Sequence, residues 1–217
     1  VEAGMNGLIY TGGDWPDLAT AKMLSERADV SICCDGAAEE AYRYGLPFQT
    51  LVGDMDSIRP DLLEAYQSSH EGLEIIQLSV EKDWTDTEYA VSHALERGCT
   101  HITFCGGLGK RMDHSLGQLQ ILYGLCKRGI PHTLYSKDMF ACMINGKYSL
   151  KTFPQQTFSL LPFAQNCCIT IEEAKYPLYH QPLPLGKTLG ISNQALGEQV
   201  SIQVHEGIVL LIALQSV

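Results

Sequence analysis

Two closely spaced aspartates in the sequence have the chemistry of a divalent-metal site. Asp54 and Asp56 lie in the segment GDMDS, directly after a short apolar run. In an extended segment alternate side chains point the same way, so both carboxylates could face one cation. Two carboxylates, completed by waters and phosphate oxygens, are typical of a Mg²⁺ site. The alternative is a polar loop in which Asp56 or Ser57 only caps the next helix.

A third aspartate, Asp86, lies at the start of a predicted helix. Thr85 and Glu88 flank it in the pattern of a capping box, where the threonine side chain caps the helix and the glutamate reaches back. That local role does not exclude function, because a residue in a first helical turn can also face a ligand. We predict that Asp86 completes an acidic cluster with Asp54 and Asp56.

A glycine-rich turn with a basic pair leads into a later helix, in the segment GGLGKRMDH at 106–114. Its exposed amides and the helix N-terminus suit an anion. Arg111 adds a planar, permanently charged group that matches phosphate oxygens. The alternative is a plain connection in which Arg111 and Asp113 pair on the surface. A basic pair, Lys110 and Arg111, on a glycine turn of an acidic protein favours phosphate binding.

Familiar nucleotide and acyl-transfer motifs are absent from the sequence. A P-loop pattern fails at 186–188 because Gln181 stands where its first glycine belongs, and G-x-G-x-x-G fails at Met112. There is also no G-x-S-x-G motif for acyl transfer. The metal carboxylates, the phosphate-binding turn and the arginine together indicate phosphoryl-type transfer, in which positioning and charge cancellation do most of the work. These residues alone do not name the acceptor.

The elements that must position these residues alternate between apolar strands and helices in the first two thirds of the chain. This alternation predicts a mostly parallel sheet covered on both faces, in an α/β domain at 5–137. Ligands bind such sheets at the carboxyl ends of the strands. Asp35 and Gly36 follow one strand, and the three segments described above follow others. We therefore expect all of them to meet at one edge of the sheet.

The remaining third of the chain, 138–217, has a different pattern. Helical periodicity stops near residue 140, and short β-type runs follow, separated by Gly, Pro and Asn. The runs include YSLKTF, TFSLLPF, CCITIEEA, KTLGIS, QVSIQVHEG and IVLLIAL. Regularly spaced short strands predict an all-β, sandwich-like domain.

The composition of the chain limits the kinds of molecule that it could bind. The chain has 217 residues and a formal charge of −10, which argues against nucleic acid as a ligand. Its eight cysteines include several in apolar runs and lack zinc-site spacing, so we expect reduced, buried thiols. No secretory signal pattern and no apolar run approaching about 20 residues occurs. We therefore expect a cytoplasmic protein without a membrane partner.

These motifs together resemble the thiamine pyrophosphokinase family. The resemblance rests on DGAA, GDMDSI, KDWTDTEYA and GGLGKRMDH in the first part, and on SLLPF, AKYPL and GISNQALG in the β-rich part. It implies an N-terminal α/β domain that binds ATP and a C-terminal β-sandwich that binds thiamine. It also implies a homodimer whose active sites lie between subunits. The implied reaction is attack of the hydroxyethyl oxygen of thiamine on the β-phosphorus of ATP, which gives thiamine diphosphate and AMP.

The resemblance also implies roles for individual residues. Asp54, Asp56 and Asp86 are the implied ligands of Mg²⁺ and the triphosphate, and Arg111 and Asp113 are the implied phosphate-side pair. The other implied ATP-binding residues are Asp35, Gly36, Lys82, Thr85, Gly106, Gly107, Gly109, Lys110 and His114.

On the thiamine side, the resemblance implies contacts from Tyr176, Ser192 and Asn193. The sequence departs from the usual pattern there, because EAKYPL lacks a glycine that the family commonly has. GKRMDH likewise has Lys110 where a glycine is common. Taken alone, the segment SNQALG fits a simple turn and Tyr176 fits ordinary packing.

Two other hypotheses remain open at this stage. A nucleotide-sugar transferase also uses D-x-D with a divalent metal, and it would turn over a sugar nucleotide without ATP. A non-catalytic thiamine or nucleotide sensor would bind its ligand but release no AMP.

Overall fold

Two structural units divide the chain. The structure is a computed structural model, and it describes residues 4–69, 72–81 and 83–215. The first unit extends to Ile121 and includes Ile130–Lys137, and the second consists of Leu122–Gly129 and the residues from Asp138 onward. The first is an α/β unit and the second is built mainly from antiparallel strands. The fold class predicted from the sequence is therefore confirmed.

The α/β part alternates strands and helices as its sequence predicts. Its elements are β1 (Met5–Tyr10), α1 (Leu18–Glu26), β2 (Val30–Cys34), a short 3₁₀ helix (Asp35–Ala37), α2 (Ala38–Tyr44), β3 (Thr50–Gly53), α3 (Pro60–Ser69), β4 (Glu74–Gln77), α4 (Asp86–Glu96), β5 (Cys99–Cys105), α5 (Met112–Lys127) and β6 (His132–Ser136). In the part of the chain that the structure describes, no helix combines the length and apolar character needed to cross a membrane.

The strands of this unit form a parallel sheet in the order β6-β5-β1-β2-β3-β4. The chain first builds outward from β1 to β4 and then places β5 on the other side of β1. Such a reversal creates a crevice at the carboxyl ends of the two strands where it occurs. Tyr10 at the end of β1 is in register with both Cys33 and Cys105. The segments that follow β1, β2 and β5 therefore begin at the same level of the sheet.

A buried aromatic group supports the segment after β1. The ring of Trp15 stacks on that of Tyr10 at 5.2 Å between centroids, and both side chains are buried. The indole nitrogen of Trp15 donates a hydrogen bond of 2.8 Å to the carbonyl oxygen of Thr11. Apolar burial and one satisfied indole thus fix the path of the chain as it leaves the sheet.

The second unit contains two antiparallel sheets. Its strands are β7 (Met139–Ile144), β8 (Lys147–Lys151), β9 (Thr157–Pro162), β10 (Cys167–Glu172), β11 (Leu178–Leu183), β12 (Asn193–Gln194), β13 (Gln199–Glu206) and β14 (Val209–Leu214). One sheet has the order β12-β9-β14-β7 and the other β11-β10-β13-β8. Phe158 and Leu211 of the first sheet share a buried cluster with Ile169 and Ile202 of the second. The unit is thus a sandwich, with its core between the sheets.

Two local predictions for this unit are wrong. The run KTLGIS, predicted as a strand, forms turns, in which the amide of Ile191 donates to the carbonyl of Thr188. The strand β11 was missed because Pro182 and its polar neighbours conceal the alternation of a strand. β11 pairs only with β10 among the described strands, and an edge strand tolerates proline because one side of its backbone needs no partner.

Candidate active site

Two glycine turns meet at the crevice where the strand order reverses. One turn follows β1 and contains Gly12, and the other follows β5 and contains Gly107. The amide of Gly107 donates to the carbonyl of Gly12 at 2.6 Å, and the amide of Asp14 donates to the carbonyl of Leu108 at 2.7 Å. Because these bonds run in both directions, the two turns hold each other in place.

The close approach of the turns requires glycine at two positions. Gly13 has a φ of +101°, and a Cβ there would lie 2.5 Å from the carbonyl oxygen of Leu108. Gly106 has a φ of +96°, and a Cβ there would lie 2.5 Å from the carbonyl oxygen of Thr11. Both the backbone conformation and the space therefore exclude a side chain.

A cavity of about 320 Å³ opens beside these turns. Thr85 and Thr87, at the N-terminal end of α4, form part of its wall. Residues of the turn after β5 and of the first half of α5 form another part, including Lys110, Arg111 and His114. The sequence-predicted phosphate turn therefore lines a real cavity, with two cationic side chains at its wall.

Arg111 and Asp113 form an ion pair at this wall. The guanidinium donates from Nε to Oδ1 at 3.2 Å and from Nη2 to Oδ2 at 2.5 Å. These bonds to Arg111 lower the pKa of Asp113 to about 2, so the carboxylate is ionised at neutral pH. Both side chains are exposed, so the pair adds little stability. The two contacts give the pair the bidentate geometry that is typical of an arginine and a carboxylate.

Three carboxylates converge at the ends of β2 and β3. One oxygen each from Asp35, Asp54 and Asp56 lies within 4.8 Å of the others. Asp35 is buried and accepts hydrogen bonds from the amides of Gly36 at 2.6 Å and Met55 at 3.0 Å. Asp54 is half-buried and Asp56 is exposed. The group thus extends from a fixed, buried carboxylate to a solvent-facing one.

The segment after β3 bends, and the expectation of an extended segment is wrong. Met55 has a φ of 67°, and the amide of Asp56 donates to Oδ1 of Asp54 at 3.1 Å. The two carboxylates are therefore brought together by a turn and not by strand alternation. Gly53 leaves space for the side chain of Asp35 beside this segment, because a Cβ there would lie 2.4 Å from Cγ of Asp35.

Asp86 acts on the buried member of this cluster. Thr85 caps α4 by accepting a hydrogen bond of 3.2 Å from the amide of Glu88, as the sequence predicts, and Asp86 lies in the first turn. Burial, followed by the negative charge of Asp86, raises the pKa of Asp35 to about 6. Within the described residues Asp86 is outside the group of three carboxylates, although its charge reaches that group.

The sequence-predicted thiamine residues lie together in the second unit. The buried side chain of Asn193 accepts from the amide of Tyr176 at 3.0 Å and donates to its carbonyl at 2.8 Å. The ring of Tyr176 is left 57% exposed, with the ammonium group of Lys175 at 5.5 Å from its centroid. The amide of Ser192 donates to Oγ of Ser159 at 3.0 Å. Asn193 therefore positions an exposed aromatic ring.

Comparison with known families accounts for both units. The family model described as "Thiamin pyrophosphokinase, catalytic domain" matches residues 21–134. A second model, "Thiamin pyrophosphokinase, vitamin B1 binding domain", matches residues 147–209. The chain belongs to the thiamin pyrophosphokinase family. The resemblance inferred from the motifs is confirmed. The members of this family are enzymes with transferase activity.

Individual thiamin pyrophosphokinases show how far the similarity extends. The curated thiamine pyrophosphokinase of Bacillus subtilis (strain 168) is 32% identical over 163 residues, which are 74% of this chain and 75% of that protein. A crystal structure of thiamine pyrophosphokinase from Bacillus subtilis has a TM-score of 0.86 at 27% identity and covers 98% of this chain and 100% of its own. The enzyme from Candida albicans shares the fold, with a TM-score of 0.79 at 19% identity over 98% of this chain and 90% of its own.

The structure places most of the ATP-side residues predicted by the thiamin pyrophosphokinase resemblance around one edge of the sheet. The cavity is lined by Thr85, Gly107, Gly109, Lys110, Arg111, Asp113 and His114. Gly106 forms the interlocked turn, while Asp35 and Gly36 belong to the carboxylate group and its hydrogen bonds. Lys82 lies outside the described residues.

Sequence reasoning missed several residues that line this cavity. Thr11, Gly12 and Gly13 line the cavity from the turn after β1, and the paired glycines after an apolar strand could have indicated them. Gln118 also lines the cavity, and the sequence held no sign of its importance because a glutamine within a helix is ordinary.

The burial of Asp35 near the charge of Asp86 gives a pH-dependent prediction for the metal-free protein. We expect the Asp35 carboxyl to titrate with a pKa of about 6. The folded protein then holds this proton more tightly than the unfolded chain does. The free energy of unfolding should therefore fall as the pH rises from the ordinary pKa of 3.8 towards 6. Carboxyl ¹³C NMR in the presence of a chelator measures the titration directly.

The variant Asp86→Asn supplies the control for this titration. Removing the charge of Asp86 should lower the pKa of Asp35, because that charge is the second cause of its elevation after burial. An Asp35 pKa that lies near the ordinary value in the parent protein would contradict the geometry of the cluster.

Proposed function

We propose that the protein transfers the pyrophosphoryl group of ATP to the hydroxyethyl oxygen of thiamine, with thiamine diphosphate and AMP as products. The main support for this proposal is that one α/β unit contains two features. One is the carboxylate group of Asp35, Asp54 and Asp56, and the other is a cavity lined by Lys110 and Arg111. Family membership supplies the reaction, and this arrangement has the groups that pyrophosphoryl transfer requires. The family does not favour a nucleotide-sugar transferase or a sensor.

The acidic cluster fits Mg²⁺. The proposed ligands are Asp54, Asp56 and Asp86, and the geometry adds Asp35 as a further candidate. Carboxylate oxygens are the ligands that this hard cation takes. The pKa of Asp35 is raised by burial first and by the negative charge of Asp86 second, and a bound cation would neutralise that charge. When bound, Mg²⁺ would supply charge neutralisation for the triphosphate. The chain itself holds the carboxylates in position through the amides of Gly36 and Met55.

The cavity wall supplies the opposite charge. We assign phosphate binding to Arg111 and Lys110, together with His114 and the amides of the turn at 106–109. Asp113 orients Arg111 in advance, so less side-chain entropy is lost when phosphate binds. During transfer, fixed positive groups stabilise the charge that moves to the bridging oxygen of the departing AMP.

We propose 138–217 as the thiamine-binding part of the chain and 5–137 as the ATP-binding part. The exposed ring of Tyr176 offers an aromatic face to the pyrimidine or the cationic thiazolium of thiamine. Asn193 fixes the backbone that carries this ring, and Ser192 lies beside it in the chain.

We further propose a cytoplasmic homodimer whose active sites lie between subunits. The second unit exposes large apolar side chains that a partner copy would cover, including Tyr179, Leu189, Ile191 and Leu196. The cytoplasmic assignment is supported by the eight free thiols, which a reducing compartment preserves.

The reaction itself is tested by its products. Incubation of the protein with ATP, Mg²⁺ and thiamine should release AMP and thiamine diphosphate in equal amounts, resolved by ion-exchange chromatography. ADP with thiamine monophosphate would contradict pyrophosphoryl transfer, and AMP release without thiamine would contradict its role as acceptor.

The metal assignment is tested at Asp54. Asp54→Asn should lower kcat at least about 10²-fold while the circular dichroism spectrum and Tm persist, because a lost metal carboxylate removes several kcal/mol of transition-state stabilisation. Asp61→Asn is the matched control, since Asp61 is an exposed aspartate paired with Arg59 outside the carboxylate group. A folded Asp54→Asn variant with the parent rate would refute the assignment.

Mixed dimers test the shared active site and the thiamine residues together. Asp54→Asn subunits and Tyr176→Ala/Asn193→Ala subunits should each be nearly inactive as pure dimers. Random reassembly should restore about a quarter of the parent activity, because half of the dimers then contain one unaltered site. Mixing Asp54→Asn with Asp56→Asn subunits is the control and should restore nothing. No recovery in the first mixture, with exchange verified by mass spectrometry, would sink the shared-site proposal.

A further inference from the structure

Gln118 is a buried polar residue whose side-chain nitrogen has no hydrogen-bond partner among the described residues. Its side chain is 4% exposed, and its amide nitrogen makes no hydrogen bond in the described part of the chain. An unpaired buried amide costs stability, so a residue of this kind calls for an explanation outside the packing of the fold. Other buried positions further along α5 are apolar, namely Leu122, Leu125 and Cys126.

The phosphate turn is shaped to admit this glutamine. A Cβ at Gly107 would lie 2.9 Å from Cγ and 3.1 Å from Cδ of Gln118. The absence of a side chain at Gly107 therefore leaves the space that the glutamine occupies. An apolar side chain of the same length would fill that space without leaving a donor unpaired, so packing alone does not account for the amide.

Gln118 also lies on the face of α5 that lines the cavity. His114, Gly117 and Ile121 share this face at the spacing of successive helical turns. At a rise of about 1.5 Å per residue, Gln118 is about 6 Å further along the helix than His114. The cationic residues are thus at the N-terminal end of this face, and an amide followed by the apolar Ile121 is at the other end.

The change from cationic to weakly polar side chains along this face matches the two chemical halves of a nucleotide. Phosphates suit the end with Lys110 and Arg111, whereas a flat, weakly polar nucleoside suits the end with Ile121. Gly117 adds no side chain to this face, and a Cβ there would meet nothing within 4 Å, so the face has room beside Gln118. The terminal torsion of glutamine is soft, so its amide can turn towards an incoming acceptor without movement of the helix.

We propose that Gln118 is a nucleoside-binding residue of this cavity, whose side-chain amide hydrogen-bonds the base or ribose of ATP while the neighbouring glycine turn and Arg111 bind the phosphates. The inference rests on the proposed function, because it requires ATP to occupy this cavity. It adds a residue that distinguishes a nucleotide from a bare polyphosphate.

The test compares Gln118→Met with Gln120→Met. The first variant keeps the length of the buried side chain and removes the amide. The second makes the same change at an exposed glutamine of the same helix. Binding of ATP and of inorganic tripolyphosphate is measured by calorimetry with Mg²⁺ and without thiamine, and Tm verifies folding.

We expect Gln118→Met to weaken ATP binding about three- to tenfold, the effect of losing one hydrogen bond, and to leave tripolyphosphate binding unchanged. The KM for ATP should rise by a similar factor with little change in kcat, and Gln120→Met should match the parent. Unchanged ATP binding, or equal weakening of ATP and tripolyphosphate, would overturn the assignment. A parent protein that fails to bind ATP would overturn the proposed function as well. Failure of the proposed function can thus be distinguished from failure of the Gln118 assignment alone.

A second measurement uses the parent protein and needs no variant. The side-chain amide resonances of Gln118 should shift in ¹⁵N NMR when ATP is added and should stay in place with tripolyphosphate. Resonances that do not move with ATP, while those of Gly107 do, would place the nucleotide in the cavity without the proposed contact.

Discussion

The parallel pairing of β1 with both β2 and β5 is the constraint from which the site follows. It sets Tyr10 level with Cys33 and Cys105, so the chain leaves three adjacent strands at one height. The turn after β1 can then bond the turn after β5, while β2 delivers Asp35 to the end of β3. Carboxylates suited to a metal ion and a cavity suited to phosphate thus occur in one unit, although the residues that form them are far apart in the sequence.

Charge in the α/β unit is arranged in two opposed groups. One group is the carboxylates around Asp35, whose pKa is raised by burial and then by the negative charge of Asp86. The other is Lys110 and Arg111 at the cavity wall. A triphosphate with its divalent cation carries charges of both signs, so its charges are complementary to both groups. The free protein tolerates the carboxylate repulsion through backbone amides, since Gly36 and Met55 donate to Asp35.

Much of this arrangement could be predicted from the sequence, because apolar strands followed by Asp or Gly have few structural solutions. The order of elements, the capping of α4 by Thr85 and the phosphate turn were all accessible in this way. The bend at Met55 was not, since the left-handed conformation is favoured by Gly, Asn and Asp and a methionine gives no sign of it. Gln118 was equally hidden, because its importance depends on the space left by Gly107 more than 10 positions earlier in the chain.

The reciprocal fit of the two glycine turns has a consequence for how such a sequence can change over time. Since Gly13 abuts Leu108 and Gly106 abuts Thr11, a bulkier residue in either loop demands a compensating rearrangement in the other. Whether a substitution in one loop is tolerated therefore depends on the sequence of the other loop. This epistasis arises from backbone atoms and is independent of side-chain chemistry. Sequence variation around the cavity should therefore concentrate in side chains that point away from the two turns. Substitutions in the turns themselves should occur together.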